Sequence, residues 1–135
     1  MQTCNVAVSD RRHDTVISLN NTGNRGGHNL NGVGVPGSIV TCLPLAEVLA
    51  SCSVKSVDFM KMDIEGSELR VLRRFYEDTP PSSAVRPTWL LVEVSGGPAN
   101  PADRRALTDL ITQNGYTAVV ERANTLFRKR PTGDD

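Results

Sequence analysis

Residues 57–72 read VDFMKMDIEGSELRVL, and this stretch decides the fold. Its first half is a mostly apolar run of strand length, which Gly66 then interrupts. Ser67 is a residue type that caps helices, and Glu68 would lie in a first helical turn, where a negative charge interacts favourably with the helix dipole. The stretch therefore predicts a strand, a turn at Gly66 and a helix that begins after Ser67.

Apolar runs on either side of this stretch predict six further strands. Their residues are 3–8, 15–19, 38–43, 88–94, 116–121 and 125–130. Helical spacing predicts a short helix near 44–52, and a second pattern between Asn100 and Gly115 predicts another. The alternation of strands and helices favours an α/β fold with a mainly parallel sheet, and the last two strands predict a C-terminal antiparallel hairpin.

The charged residues balance, with 15 Lys or Arg and 15 Asp or Glu among 135 residues. This chain length suits one small domain, which we assign to residues 4–130, with a disordered tail at 131–135. A net charge of zero creates no field that draws in nucleic acid or an anionic membrane, so we expect neither partner. We interpret the basic clusters as solvated faces. These clusters are Arg70/Arg73/Arg74, Arg104/Arg105 and Arg128 to Arg130.

The cysteines and the apolar runs bear on cellular location. Cys4, Cys42 and Cys52 are odd in number and form no C-x-x-C pair, so we expect reduced thiols. No apolar run reaches the 18 residues that predict a transmembrane helix, and the N-terminal residues lack the apolar core of a signal peptide. These features favour a cytoplasmic location.

A loop rich in Gly and Asn occupies residues 20–37 and holds six of the eleven glycines. Both residue types tolerate positive φ, so the loop predicts irregular backbone. His28 lies in this loop and is a candidate base or substrate contact. The alternative is that the His28 side chain is only solvated.

Carboxylates cluster where two predicted strands end. Asp63 and Glu65 are two residues apart, so on a strand their side chains share one side, with Cα atoms about 6.5–7 Å apart. Glu93 ends the next long strand, and ligands of open α/β sheets bind at the carboxyl ends of the strands. We expect the three carboxylates to line one crevice. The alternatives are hydrogen bonding to loop N–H groups and, more distantly, a glycoside hydrolase pair, for which the chain is too short to form the common barrel.

The central stretch matches a known pattern of a hydrophobic strand followed by Lys, a hydrophobic residue, Asp, a hydrophobic residue, Glu, Gly, a small residue and Glu. The matching residues are Lys61, Asp63, Glu65, Gly66, Ser67 and Glu68. The stretch thereby resembles the hallmark segment of the FkbM-type methyltransferase family, and other segments extend the resemblance over roughly residues 4–121. It implies a partial Rossmann-like class I methyltransferase sheet. It also implies methyl transfer from S-adenosylmethionine, usually to a hydroxyl oxygen of a sugar or natural-product-like small molecule.

The resemblance suggests roles for the candidate residues. Because the sulfonium is already a good methyl donor, the protein must mainly align the acceptor oxygen and take up its proton. We expect Asp63 or Glu65 to do this as catalytic residues, with Glu93 and His28 as substrate contacts. In an alternative hypothesis Asp63 and Glu93 hold a divalent cation, but two oxygen ligands do not define a site, and we assign no metal.

The family's cofactor-binding segment precedes the part that this chain matches. It has a glycine-rich turn after its first strand and an acidic residue after its second, and neither feature occurs in these 135 residues. We therefore expect a fragment or truncated member that hardly binds S-adenosylmethionine alone, with unknown cofactor-binding residues. Two missing strands would expose an apolar edge beside residues 57–64 and invite self-association. The alternative function is a non-catalytic remnant or interaction module that pairs through this edge.

Overall fold

The structure, a computed structural model, describes residues 3–19, 35–64, 66–94, 101–122 and 124–131. These residues form seven strands and three helices. The strands are β1 (Ala7–Ser9), β2 (His13–Leu19), β3 (Val35–Pro44), β4 (Phe59–Met62), β5 (Trp89–Glu93), β6 (Tyr116–Val120) and β7 (Asn124–Lys129). The helices are α1 (Leu45–Ser51), α2 (Glu68–Asp78) and α3 (Pro101–Gln113).

The described strands form two mixed sheets. The first sheet has the order β1-β3-β2, in which β1 is parallel and β2 antiparallel to β3. The second sheet has the order β4-β5-β7-β6, in which β4 and β5 are parallel and the other two pairs antiparallel. The α/β class and the C-terminal hairpin are confirmed. The mainly parallel sheet is wrong, because β7 inserts between β5 and β6 and makes two antiparallel pairs, and β2 makes a third.

Strands β4, β5 and β6 nevertheless run in one direction, since β5 and β6 are both antiparallel to β7. Their carboxyl ends therefore lie along one edge of the second sheet. Helix α2 joins β4 to β5, and α3 joins β5 to β6. Each connecting helix returns the chain to the amino ends of the strands, so both helix C-termini lie at that opposite edge.

One face of the second sheet packs against the helices. Leu90 and Val92 of β5 are fully buried and Phe127 of β7 lies beside them, whereas Trp89 and Leu91 are only partly buried, as strand alternation requires. Burial of each large apolar side chain stabilises the fold by about 1.5–3 kcal/mol. The buried cluster comprises Leu45, Met62, Val71, Leu72, Phe75, Tyr76, Leu90, Val92, Leu107, Ile111, Tyr116 and Phe127.

The cysteine prediction is wrong for two of the three thiols. Cys4 and Cys52 form a disulfide across 48 positions, and Cys42 is free and buried. The pairing of β1 with β3, which leads directly into α1, brings the chain before β1 close to the end of that helix. Burial raises the pKa of the Cys42 thiol. Among the described residues, no helix is long and apolar enough to cross a membrane.

Each sheet has two edge strands that are paired on one side only among the described residues, and β1 and β4 are one edge strand of each sheet. In the described part of the chain β1 pairs only with β3, and β4 pairs only with β5. Phe59 at the start of β4 is 55% exposed. Most of the loop predicted at 20–37 lies outside the described residues.

Candidate functional site

The structure places two of the predicted carboxylates together at the carboxyl edge of the second sheet. Asp63 directly follows β4, and Glu93 is the last residue of β5. The register pairs Met62 with Val92, so both carboxylates lie one residue beyond the same rung. Their side chains are hydrogen-bonded to each other.

Lys61 completes this group, although the sequence analysis gave it no role at the site. Its Nζ donates a hydrogen bond to Asp63 Oδ2 at 2.8 Å. Strand alternation is the signal that identifies it, because residues two apart on a strand share one side. Asp63 is 38% exposed and Lys61 54%, so a dissolved acceptor can reach both side chains. The name carboxylate cluster is used below for Lys61, Asp63 and Glu93.

Lys61 and Asp63 stabilise each other's charged forms. The hydrogen bond from Lys61 is the main cause that lowers the pKa of Asp63, and the hydrogen bond with Glu93 lowers it further. Conversely, the hydrogen bond to Asp63 raises the pKa of Lys61, and the charge of Glu93 adds to this. Asp63 is therefore a carboxylate and Lys61 a cation across the neutral pH range.

The turn after β4 is built on Gly66 and Glu68. Gly66 has φ +91°, which L side chains rarely adopt. Glu68 is buried, and its Oε1 accepts a hydrogen bond from the Ile64 N–H at 2.9 Å. The expected hydroxyl cap at Ser67 is wrong, because the Ser67 Oγ instead accepts a hydrogen bond from Arg70 Nη2 at 2.9 Å. Glu68 thus fixes the position of the backbone directly after Asp63.

Two of the predicted site residues cannot be placed. Glu65 and His28 both lie outside the described residues. Their suggested roles, as catalytic carboxylate and as substrate contact, stay predictions.

No group of three or more His, Cys, Asp or Glu side chains that could hold a metal ion occurs among the residues the structure describes. The described glycines with positive φ are Gly66 and Gly115, and a Cβ at either would meet no atom within 4 Å. Neither turn is therefore a tight cradle of the kind that holds backbone against a cofactor. The described residues do not fit a complete S-adenosylmethionine site.

Comparison with known proteins adds one finding to this geometry. Residues 2–118 match the methyltransferase FkbM domain. No curated protein and no solved structure is significantly similar to the chain. The matched range includes the carboxylate cluster, the Gly66 turn, all three helices and the strands from β1 to β5.

Proposed function

The chain belongs to the FkbM methyltransferase family, and from this premise we propose that its complete domain transfers the methyl group of S-adenosylmethionine to a hydroxyl oxygen. The acceptor would be a small molecule such as a sugar or a natural-product scaffold. The observation that carries this proposal is the carboxylate cluster, an exposed and charged hydrogen-bonding group at the edge of the sheet where open α/β folds bind ligands.

Asp63 would receive the proton of the acceptor hydroxyl. Its low pKa makes it a weak base toward an ordinary alcohol. A hydroxyl oxygen that is forming a bond to carbon becomes far more acidic, so a weak base is sufficient once the transfer is under way. Glu93 and Lys61 would fix the Asp63 carboxylate in position by their hydrogen bonds. Glu65 would be the second candidate for the same task.

S-adenosylmethionine would supply the methyl group, and we propose that its binding strands lie between the two sheets. Two observations support this: β1 and β4 each have an open edge in the described residues, and α2 contacts both β1 and β3 while it also packs in the core. The parallel β4-α2-β5 unit supports a Rossmann-like arrangement. Under this proposal the 135 residues are a fragment that is inactive alone.

The second candidate function is a non-catalytic interaction module. The open edge of β4 and the exposed ring of Phe59 favour it, because unpaired strand edges accept strands from another chain. Self-association of the purified chain, lost when Lys or Pro is placed at the β4 edge, would support this function.

A cytoplasmic location is part of the same proposal. The Cys4–Cys52 disulfide of the structure counts against this location, because cytoplasmic thiols are kept reduced, and a reduced Cys4/Cys52 pair in cells would support it.

The experiment that tests the proposed function compares Asp63→Asn and Glu65→Gln in a protein extended by its upstream segment. At least one change is expected to lower turnover by about 10²–10⁴-fold, the usual contribution of a positioned base. Binding of S-adenosylmethionine, followed by isothermal titration calorimetry, should change little. Glu77→Gln on the exposed face of α2 is the matched control and should retain activity.

Unchanged turnover in both variants would remove Asp63 and Glu65 from the catalytic role. The same titration on the 135-residue chain alone is expected to show no binding of S-adenosylmethionine. Micromolar binding by this chain would overturn the proposal that its cofactor strands lie elsewhere.

A further inference from the structure

A pocket of about 360 Å³ lies at the amino end of the second sheet. The residues that line it are Ser82, Thr88, Arg128, Lys129, Arg130 and Pro131. In the β5–β7 register Trp89 pairs with Arg128 and Glu93 pairs with Asn124, so the pocket and the carboxylate cluster lie at opposite ends of β5. The length of the strand separates these ends by about 13 Å. We call this pocket the basic pocket.

The lining of the basic pocket is strongly positive. Three of its six residues are cations, two carry hydroxyl groups, and none is acidic. Burial lowers the pKa of Lys129, and the positive charge of Arg86 lowers it further. Arg86 is itself 3% exposed, so its charge is poorly screened by water. A bound anion would offset this concentration of positive charge.

The cations of the pocket are held by neutral partners that leave their charge uncancelled. The Arg128 guanidinium lies 5.3 Å from the centre of the Trp89 ring. Arg130 Nη2 donates to the Thr112 carbonyl oxygen at 2.8 Å, and Lys129 Nζ donates to the Ser83 carbonyl oxygen at 3.4 Å. The cations are thereby positioned in advance, and little side-chain ordering is needed when a ligand binds.

We propose that the basic pocket binds a phosphate group, either free or carried by a small molecule. Lys129 supplies a charged contact, Arg128 and Arg130 add positive charge at the rim, and the hydroxyls of Ser82 and Thr88 supply further donors. A phosphate has several acceptor oxygens that point in different directions, which suits donors that arrive from a loop and a strand end. The volume lies within the range of small-molecule sites. This binding site is separate from the proposed methyl transfer and does not depend on it.

The test is a titration of the 135-residue chain with inorganic pyrophosphate, inorganic phosphate and glycerol 3-phosphate at constant ionic strength. Amide chemical shifts in the ¹H–¹⁵N NMR spectrum give both the dissociation constant and the site. We expect saturable shifts centred on residues 128–130 and on Thr88. Tighter binding of glycerol 3-phosphate than of phosphate assigns the site to phosphate esters, and the reverse assigns it to free phosphate.

Matched variants distinguish binding in the basic pocket from nonspecific attraction of anions to the positive charges of the protein surface. The double change R128Q/K129Q removes two cations from the pocket, and R104Q/R105Q removes two from the exposed face of α3. We expect the dissociation constant to rise about tenfold or more in the first variant and less than about twofold in the second, because hydrogen bonds to charged groups are lost only in the first. Ser82→Asp, at an exposed position, places a carboxylate at the pocket rim and should weaken binding without affecting the fold.

Thermal unfolding of each variant, followed by circular dichroism, checks that the fold is intact. If R128Q/K129Q unfolds, the Ser82→Asp variant decides the question. Equal weakening in the pocket and control variants, retained binding in Ser82→Asp, or no saturable shift at millimolar ligand would each overturn the proposal.

Discussion

At the carboxyl end of the second sheet, Lys61 pairs with a carboxylate, whereas at the amino end the cations of the basic pocket rest on uncharged partners. Asp63 interacts with both Lys61 and Glu93, and the group is open to solvent. The cations Arg128, Lys129 and Arg130 instead rest on an aromatic ring and on carbonyl oxygens. One sheet thus carries the proposed proton-accepting site at one end and the proposed phosphate site at the other.

The difference follows from the direction of the connecting helices. Because α2 and α3 both return to the amino edge, their C-terminal carbonyl oxygens accumulate there and attract positive charge. Arg86 shows this most clearly, since its Nη2 donates to the carbonyl oxygens of Tyr76 and Thr79. Its Nε also donates to Thr79 Oγ1 at 3.1 Å, and its Nη1 to Asn114 Oδ1 at 3.4 Å. A cation at this end is therefore part of the fold itself.

The largest expected loss of stability comes from replacing Arg86 at the amino end of the second sheet. Arg86→Ala would leave buried acceptors at Tyr76 and Thr79 without donors, and each such acceptor costs about 1–3 kcal/mol. We expect the free energy of unfolding to fall by about 3 kcal/mol or more, measured by urea denaturation. Arg104→Ala on the exposed face of α3 is the control and should change it by less than about 0.5 kcal/mol. A loss below about 1 kcal/mol in Arg86→Ala would show that Arg86 is not a structural cation.

A smaller loss of stability is expected from replacing one of two tyrosines, Tyr76 and Tyr116, that pack beside Arg86. Their ring centroids are 6.2 Å apart, and burial raises the pKa of both, that of Tyr116 to about 12. The Tyr116 hydroxyl donates to the Pro87 carbonyl oxygen at 2.8 Å, whereas the Tyr76 hydroxyl is buried without a partner in the described structure. Tyr116→Phe should cost about 1–2 kcal/mol.

Tyr76→Phe serves as the matched comparison for Tyr116→Phe. It removes a hydroxyl that makes no hydrogen bond, so stability should stay within about 0.5 kcal/mol of the parent or rise slightly. Both changes are measured by the same urea denaturation. Equal losses in the two variants would contradict the difference in hydrogen bonding that separates them.

The smallest effect is expected at the carboxyl end. Lys61→Gln removes the main cause that lowers the Asp63 pKa, so this pKa should rise when followed by ¹³C NMR of the carboxyl carbon. The pKa of Asp63 is lower in the folded protein than in the unfolded chain. The ionised Asp63 side chain therefore stabilises the fold fully at a pH above its ordinary pKa, and this stabilisation is lost as the pH falls through the folded-state pKa. The loss of stability in acid should therefore be smaller in Lys61→Gln. An unchanged Asp63 pKa, or the same rise in the control Lys55→Gln, would contradict the pairing.

Local features of the sequence predict much of the fold. The turn at Gly66, the helix that begins after Ser67 and the strand 89–93 all follow from periodicity and from the residue types at their ends. The position of Asp63 and Glu93 at strand ends follows from the same local signals together with a general rule for α/β sheets. These features need no knowledge of distant contacts.

Other features could not be predicted because they depend on which distant segments meet. Glu68 has the residue type of a helix-dipole partner, but its burial against the Ile64 N–H depends on the folded turn. The cluster Arg128 to Arg130 has the composition of a solvated face, and only the neighbouring loop and β5 make it a pocket. The Cys4–Cys52 pairing likewise requires the parallel pairing of β1 with β3.

The sequence by itself thus determined the α/β class, the strand–turn–helix unit at 57–72 and the carboxylates at strand ends, because these depend on neighbouring residues and short periodicities. The tertiary structure alone decided that β7 lies between β5 and β6, that Glu93 lies beside Asp63, and that the cations of the basic pocket gather at the opposite edge. These features are set by packing between segments far apart in the chain, so local periodicity does not reveal them.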